Sequence, residues 1–148
     1  MSNLVVHFSS RKQDWSTPWE FFKEQEDKYG PFDLDVCATP ENAKCANFYT
    51  QNQDGLNQPW VGRCWMNPPY GREIGRWVKK ATEEVHMLAE CVVCLLPART
   101  DTAWWHNYVE RSAASIAFIR GRITFEGAIN SAPFPSAIVI FKHHPDGE

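Results

Sequence analysis

Arg63-Cys64-Trp65-Met66-Asn67-Pro68-Pro69-Tyr70-Gly71 is a predicted strand that runs straight into a stiff polar turn. The strand ends there because a proline has no N–H to donate and fixes its own φ. Residues Glu73–Leu88 follow, with apolar side chains at helical spacing. Cys91–Leu96 is then an almost uninterrupted apolar run, which is typical of the buried middle of a parallel sheet. The order strand, helix, strand predicts an α/β unit with the proline turn at the carboxyl end of its first strand.

The segments on either side extend this α/β pattern. Ser16-Thr17-Pro18-Trp19 predicts a helix start, with a hydroxyl N-cap and proline in the first turn. That helix ends at Gly30-Pro31, and Phe32–Val36 alternates apolar and acidic residues as a strand does. Ala38–Gln58 is predicted to be irregular. Towards the C-terminus we expect a helix over Thr102–Glu110 and closely spaced strands over Ser115–Ile119, Arg122–Phe125 and Ala137–Phe141, the last of which form an antiparallel edge.

Length and composition favour one globular domain. The chain has 148 residues, 43% of them hydrophobic, so we expect a single domain over residues 1–148 with residues 1–14 as a loose arm. No apolar run reaches the roughly 20 residues that span a bilayer. The N-terminus also lacks the features of a signal peptide. These observations predict a cytoplasmic protein with no membrane partner.

The cysteines indicate neither disulfides nor a metal site. Their number is five, which is odd, and no paired Cys/His spacing of the zinc type is present. Cys91 and Cys94 are three residues apart in a predicted strand, so their side chains point to opposite faces and cannot share a metal ion. We therefore expect free thiols and no metal.

The chemistry is concentrated in Asn67-Pro68-Pro69-Tyr70. An exocyclic amino nitrogen is a poor nucleophile because its lone pair is delocalised into the ring. The side-chain oxygen of Asn67 and the carbonyl oxygen of Pro68 can accept its two hydrogens and localise that lone pair. Pro68 and Pro69 hold the backbone stiff, and Tyr70 supplies a flat ring for an extruded base. The simpler alternative is a rigid turn that merely ends a strand.

These residues match the catalytic motif of amino-group methyltransferases. The chain as a whole resembles the phage-type DNA N-6-adenine methyltransferase (Dam-like) family. Blocks that carry the resemblance, besides the catalytic motif, are Ser16–Trp19, Phe32–Ala38, Asp54–Leu56, Gly121–Phe125 and Phe134–Ala137. The resemblance implies a Rossmann-like methyltransferase sheet with helices on both faces. It also implies transfer of a methyl group from S-adenosylmethionine to N6 of a flipped adenine in double-stranded DNA.

The resemblance also implies where the cofactor binds. The block containing Asp35, Cys37 and Ala38 resembles the first cofactor-binding motif, although Cys-Ala-Thr-Pro replaces the glycine-rich turn of many methyltransferases. Asp35 is expected to face the methionine ammonium or the ribose hydroxyls. Thr17-Pro18-Trp19 is expected to close over the methionine end, and Asp54 to accept from the adenine amino group.

DNA binding is harder to reconcile with a net charge of -3. Local basic residues are the candidates for phosphate contacts, namely Arg72, Arg76, Lys79, Arg99, Arg120 and Arg122. The chain is expected to act as a monomer or homodimer. Two alternatives stay open: an amino-group methyltransferase that acts on RNA or on a protein glutamine, and an inactive nucleic-acid- or cofactor-binding module.

Overall fold

The computed structural model describes residues 15–143, so the arm predicted over residues 1–14 lies outside the described residues. Within residues 15–143 the longer helices are α1 (Trp19–Tyr29), α2 (Ile74–Glu84) and α3 (Trp105–Glu110), the last in π-helical geometry. Six strands form one sheet, and their bounds are β1 (Leu34–Asp35), β2 (Asn47–Phe48), β3 (Gly62–Met66), β4 (Ala89–Pro97), β5 (Ser115–Phe118) and β6 (Ser136–Lys142).

The sheet is parallel except for one strand. Its order is β2-β1-β3-β4-β6-β5, and the first four strands run in the same direction. β6 is antiparallel to both β4 and β5. The antiparallel pairing predicted near the C-terminus is therefore confirmed, but the antiparallel strand lies one position in from the edge.

The core is built around β4 and the two helices beside it. β4 is buried from Cys91 to Pro97, as the apolar run predicted. In α1 the ring of Phe22 packs edge-on against Trp65 of β3, with ring centroids 5.2 Å apart. α2 turns its apolar stripe inward, with Ile74, Trp77, Val78 and Ala81 buried. All five cysteines are free thiols.

Several local predictions differ from the structure: α3 begins at Trp105 rather than Thr102, and β1 covers only Leu34–Asp35 of the predicted strand Phe32–Val36. Ala38–Gln58 is not entirely irregular, since it contains β2 and a 3-10 turn over Gly55–Asn57. α2 ends at Glu84 rather than Leu88. The predicted N-cap hydroxyl is wrong, because Pro18 occupies that position without a side-chain cap. The remaining difference concerns the predicted strand Arg122–Phe125.

Arg122–Phe125 belongs to a loop rather than a strand. Gly121 and Gly127 bracket it with φ values of 75° and 80°, a left-handed geometry that turns the chain at both ends. Ile123 and Phe125 are nevertheless buried, which explains their strand-like alternation. The alternation arises because the loop buries two side chains, although its backbone pairs with no strand of the described sheet.

The strand directions bring several segments to one edge of the sheet. β1, β3 and β4 end there, and the antiparallel β6 begins there, because Pro97 pairs with Ser136. β5 also ends at this edge, where Phe118 pairs with Ala137. We call it the carboxyl edge, and the residues that follow β1 and β3 meet on it.

Candidate active site

Asn67 directly follows β3, and its side-chain amide is held from two sides. Its Nδ2 donates to Thr17 Oγ1 at 2.9 Å and to the backbone carbonyl of Trp15. A carbonyl can only accept, so the rotated amide would place two oxygens against each other. The contacts to Trp15 and Thr17 therefore fix which way the amide points.

The oxygen of the Asn67 amide has no hydrogen-bond partner among the described residues. Asn67 Oδ1 is buried, and no donor within residues 15–143 reaches it. No backbone N–H in the same described range donates to the Pro68 carbonyl either. A buried acceptor that is left unpaired costs about 1–3 kcal/mol. Such a cost is expected where an acceptor is kept for a ligand.

Asp35 ends β1 and presents a buried carboxylate. Its Oδ1 accepts from Cys37 N at 3.3 Å and its Oδ2 from Lys44 N at 3.0 Å. Burial raises the pKa of Asp35 to about 6, although the two N–H groups and the Lys44 ammonium oppose that shift. Burial also lowers the pKa of Lys44, opposed by the charges of Asp35 and Glu126. The site thus holds a carboxyl group with a raised pKa, Asp35, and an amine with a lowered pKa, Lys44, whose charges interact.

The Asp54-Gly55 turn forms a wall beside Asp35. Asp54 has a φ of 56°, and its carboxylate accepts from Leu56 N at 3.3 Å. A Cβ at Gly55 would lie 2.3 Å from the Val36 carbonyl, so only glycine fits this approach. Trp60 Nε1 donates to the Gly55 carbonyl at 2.9 Å. The turn is thereby locked against β1.

A cavity of about 920 Å³ connects these groups. Pockets that bury small ligands typically measure about 300–1,000 Å³. Eight of the residues predicted for the site line this cavity, namely Thr17, Asp35, Cys37, Ala38, Asp54, Asn67, Pro68 and Pro69, and Arg76 from the predicted DNA-contacting set joins them. The carboxylate of Asp35 and the amide of Asn67 thus face one space large enough for a nucleoside derivative.

Three residues predicted for the site lie elsewhere. Pro18 and Trp19 begin α1 and are not among the residues lining the cavity. The ring of Trp19 is 43% exposed, and the Lys44 ammonium lies over it at 4.2 Å. Tyr70 is buried, and its hydroxyl donates to the Leu95 carbonyl at 2.8 Å.

Tyr70 belongs to an aromatic cluster with Trp15, Phe125 and Phe134. Phe134 and Phe125 meet the Tyr70 ring edge-on, with centroids 5.6 Å and 6.3 Å away. Trp15 contacts the same two phenylalanines. In this arrangement no face of Tyr70 is open to a base, so stacking on it stays a prediction that requires Phe125 or Phe134 to move.

The basic residues predicted to contact DNA fall into two groups: some pair with other groups of the protein, and the rest are exposed without a described ion pair. Arg76 and Lys79 lie next to carboxylates, at 2.6 Å from Glu73 and 3.9 Å from Glu83. Arg122 donates to the Ala132 carbonyl at 3.3 Å. Arg72, Arg99 and Arg120 are exposed and form no ion pair with the described carboxylates. The guanidinium of Arg99 lies 5.9 Å from the Phe134 ring centroid.

Sequence reasoning missed Trp15 and Lys44. Trp15 lines the cavity and supplies the carbonyl that orients Asn67. No local pattern could reveal this, because the two residues are 52 positions apart. Lys44 also lines the cavity, and its only signal was being a lone cation in a polar segment close to Asp35 in sequence.

Residues 15–143 contain neither a cluster of metal-binding side chains nor a membrane-spanning helix. No group of three or more His, Cys, Asp or Glu side chains is placed to hold a metal ion. No helix in this range is long and apolar enough to cross a membrane.

A mostly parallel sheet with a buried Asn-Pro-Pro-Tyr corner beside a nucleoside-sized cavity defines an α/β methyltransferase that acts on amino groups. A family model of DNA N-6-adenine-methyltransferase (Dam) matches residues 6–144. The chain belongs to this family.

Individual relatives agree with the family. The DNA N-6-adenine-methyltransferase of Haemophilus phage HP1 is 36% identical over 127 residues, which cover 82% of this chain and 73% of the phage protein. That of Escherichia phage T1 is 39% identical over 113 residues, covering 74% of this chain and 46% of its own. A solved Thermoplasma acidophilum structure, at 12% identity, has a TM-score of 0.49 over 86% of this chain and 87% of its own.

Proposed function

We propose that this enzyme methylates N6 of adenine in double-stranded DNA, with S-adenosylmethionine bound in the cavity and the target adenine turned out of the helix. The observation that carries the proposal is Asn67, whose amide is oriented by Trp15 and Thr17 while its buried Oδ1 has no donor within residues 15–143. An extruded adenine supplies the missing donor. We place the enzyme in the cytoplasm, as a monomer or homodimer.

The cavity fits the chemistry of the cofactor. Asp35 supplies a carboxylate for the ribose hydroxyls or the methionine ammonium, and Cys37 and Ala38 line the turn beside it. Asp54 also lines the cavity, and we assign its carboxylate to accept from the adenine amino group of the cofactor. Thr17 lies at the end near Asn67. The bound cofactor supplies an electrophilic methyl carbon on a sulfonium.

The corner acts on the amino group of the target base. Asn67 Oδ1 accepts one N6 hydrogen and the Pro68 carbonyl accepts the other, which concentrates the lone pair on nitrogen. Pro69 keeps the Pro68 carbonyl from rotating. Because both acceptors are in place before the base arrives, little reorganisation remains for the reacting state. The Tyr70 hydroxyl ties the turn to Leu95 of β4.

Stacking of the adenine on Tyr70 is part of the proposal and requires the aromatic cluster to open. Phe125 and Phe134 are carried by the loop between β5 and β6, which joins the strands at the carboxyl edge. Rotation of the Phe125 and Phe134 side chains would expose the ring while the backbone hydrogen bonds from Ala132 N and Glu126 N keep the loop in place. Arg72, Arg99 and Arg120 then offer the unpaired charges for phosphate contacts.

The test compares substrates and includes a matched inactive variant. Tritiated methyl transfer would be measured side by side on unmethylated duplex DNA, on RNA and on a glutamine-containing protein extract, with wild type and Asn67→Ala. We expect label in DNA only, located on N6 of adenine, and none with Asn67→Ala. Label in RNA or protein instead of DNA would reject the proposed substrate. Duplex binding without transfer would indicate a silent module.

A further inference from the structure

The loop between β5 and β6, residues 119–135, leaves the sheet and returns to it at the carboxyl edge. Phe118 at its start pairs with Ala137, and Ser136 at its end pairs with Pro97. Asn67 lies at this same edge, after β3. The loop therefore stands beside the place where an adenine would be received.

The base of this loop is fixed to the catalytic corner. Ala132 N donates to the Ile123 carbonyl at 2.8 Å and closes the loop across its two arms. Phe125 and Phe134 are buried against Tyr70. Glu126 N donates to the carbonyl of Ser16, a cavity residue, at 3.0 Å. These contacts hold the arms in place relative to Asn67.

The tip of the loop, residues 126–131, is exposed throughout. It carries one large apolar side chain, Ile129, which is 95% exposed and more open than any other large hydrophobic residue in the described range. Its neighbours Gly127, Ala128, Asn130 and Ser131 are all small or short. The tip is consequently narrow, with a β-branched aliphatic group projecting from it.

We propose that Ile129 is a wedge that enters the base stack and fills the gap left by the extruded adenine. This inference rests on the proposed function. Removing a base from a duplex costs unstacking energy, and apolar side chains inserted between base steps recover part of it. The Arg120 guanidinium precedes the tip and is exposed.

The experiment compares two duplexes that carry the same target site, identified by mapping methylated adenines in DNA from cells expressing the protein. In one duplex the target adenine faces thymine, and in the other it faces an abasic site, where extrusion is easier. We expect Ile129→Ala to lower kcat/KM about tenfold on the paired duplex and less than about threefold on the abasic duplex. Ile129→Leu should retain wild-type rates on both.

Two further measurements separate a wedge from a surface contact. Met87→Ala removes another exposed apolar side chain, 72% accessible, from the turn before β4 at the opposite edge, and should change kcat/KM by less than about twofold. With 2-aminopurine at the target position, wild type should raise the fluorescence of the paired duplex more than Ile129→Ala does.

The outcomes distinguish this inference from the function beneath it. Equal rates for wild type and Ile129→Ala on the paired duplex would overturn the wedge, as would the same loss on both duplexes. Wild type that methylates neither duplex overturns the proposed function and the wedge with it. Methylation by wild type with an unaffected Ile129→Ala removes only the wedge.

Discussion

Asp35 at the end of β1 and Asn67 after β3 lie close together on one sheet edge, yet they differ in how the protein satisfies their hydrogen bonds. Each oxygen of the Asp35 carboxylate accepts a hydrogen bond from the backbone, one from Cys37 N and the other from Lys44 N. Asn67 Oδ1 has no donor in the described part of the chain. At the end of β1 two backbone N–H groups offset part of the cost of burying a carboxylate, whereas at the end of β3 a buried acceptor has no donor within the described residues.

This difference shows how the fold divides two tasks between adjacent strands. A carboxylate held by two fixed N–H groups stays in place whether or not a ligand is bound. A neutral acceptor whose amide is fixed from the far side gains its hydrogen bond only when a donor arrives. The first arrangement suits binding of a cofactor, and the second suits activation of an amino group. Four substitutions or conditions test that division, and the expected effects decrease in the order given.

Asn67→Ala should have the largest effect. Loss of the acceptor removes an interaction made with the reacting amino group, so we expect kcat to fall by about 10³. The affinity for S-adenosylmethionine should stay within about threefold, because a lost transition-state contact does not weaken cofactor binding. Steady-state methyl transfer and calorimetry with the cofactor measure the two quantities. A variant that keeps more than a tenth of the wild-type kcat would end the division of tasks.

Asp35→Asn should produce the complementary defect. The neutral amide loses a charge-assisted contact to the cofactor, so we expect the Kd for S-adenosylmethionine to rise by about 30-fold. At saturating cofactor, kcat should change only a few-fold. The measurement is calorimetry together with kcat at high cofactor concentration. Unchanged affinity would show that Asp35 serves the fold alone.

The pH dependence of cofactor binding should follow the ionisation of Asp35. Its pKa in the folded, ligand-free protein is about 6, so the carboxylate is lost as the pH falls through that value. Lowering the pH from 7 to 5 should weaken S-adenosylmethionine binding by about tenfold in wild type, and much less in Asp35→Asn.

The stability of the ligand-free protein should change in the opposite direction. Because the folded pKa of Asp35 is raised above its ordinary value of 3.8, protonation favours the folded state. The stabilisation of the folded state by protonated Asp35 is fully present below the pKa of the unfolded chain and is lost as the pH rises through about 6. Denaturant titrations of wild type and Asp35→Asn across this range should diverge with rising pH, and parallel curves would contradict the assignment.

Thr17→Val should have the smallest effect. The substitution keeps the shape of the side chain but removes the oxygen that accepts from Asn67 Nδ2 at 2.9 Å. The amide then depends on Trp15 alone, so we expect kcat to fall about fivefold with little change in cofactor affinity. Thr17→Ser should restore kcat. A loss of affinity with unchanged kcat would instead support the cofactor contact predicted for Thr17.

Much of the fold could be read from local patterns. Three features were predicted to within two residues of their observed bounds: the apolar run in β4, the end of α1 before Gly30-Pro31 and the proline turn after β3. Each depends on neighbours along the chain: side-chain periodicity, a missing N–H or a fixed φ. The strand Arg122–Phe125 failed because buried alternation does not by itself supply a strand to pair with.

The candidate site was predicted less completely than the fold. Asn67, Pro68, Pro69 and the acidic end of β1 were predicted to share one site, and all of them line the same cavity. Contacts that form only across the fold were not predicted. The Thr17 hydroxyl was predicted to lie at the methionine end of the cofactor, and its contact with Asn67 Nδ2 was not foreseen. Tyr70 was expected to be open and is enclosed by Phe125 and Phe134.

What this sequence determined by itself is therefore a stiff Asn-Pro-Pro-Tyr corner at the end of a buried strand, because proline geometry and apolar periodicity are local properties. Only the tertiary structure decided which atom of Asn67 is left free. That choice depends on Trp15 and Thr17, which are 52 and 50 residues away and come within hydrogen-bond distance only when the strands order the carboxyl edge. A hydrogen bond acts over about 3 Å, so contacts of such sequence separation exist only after the chain has folded.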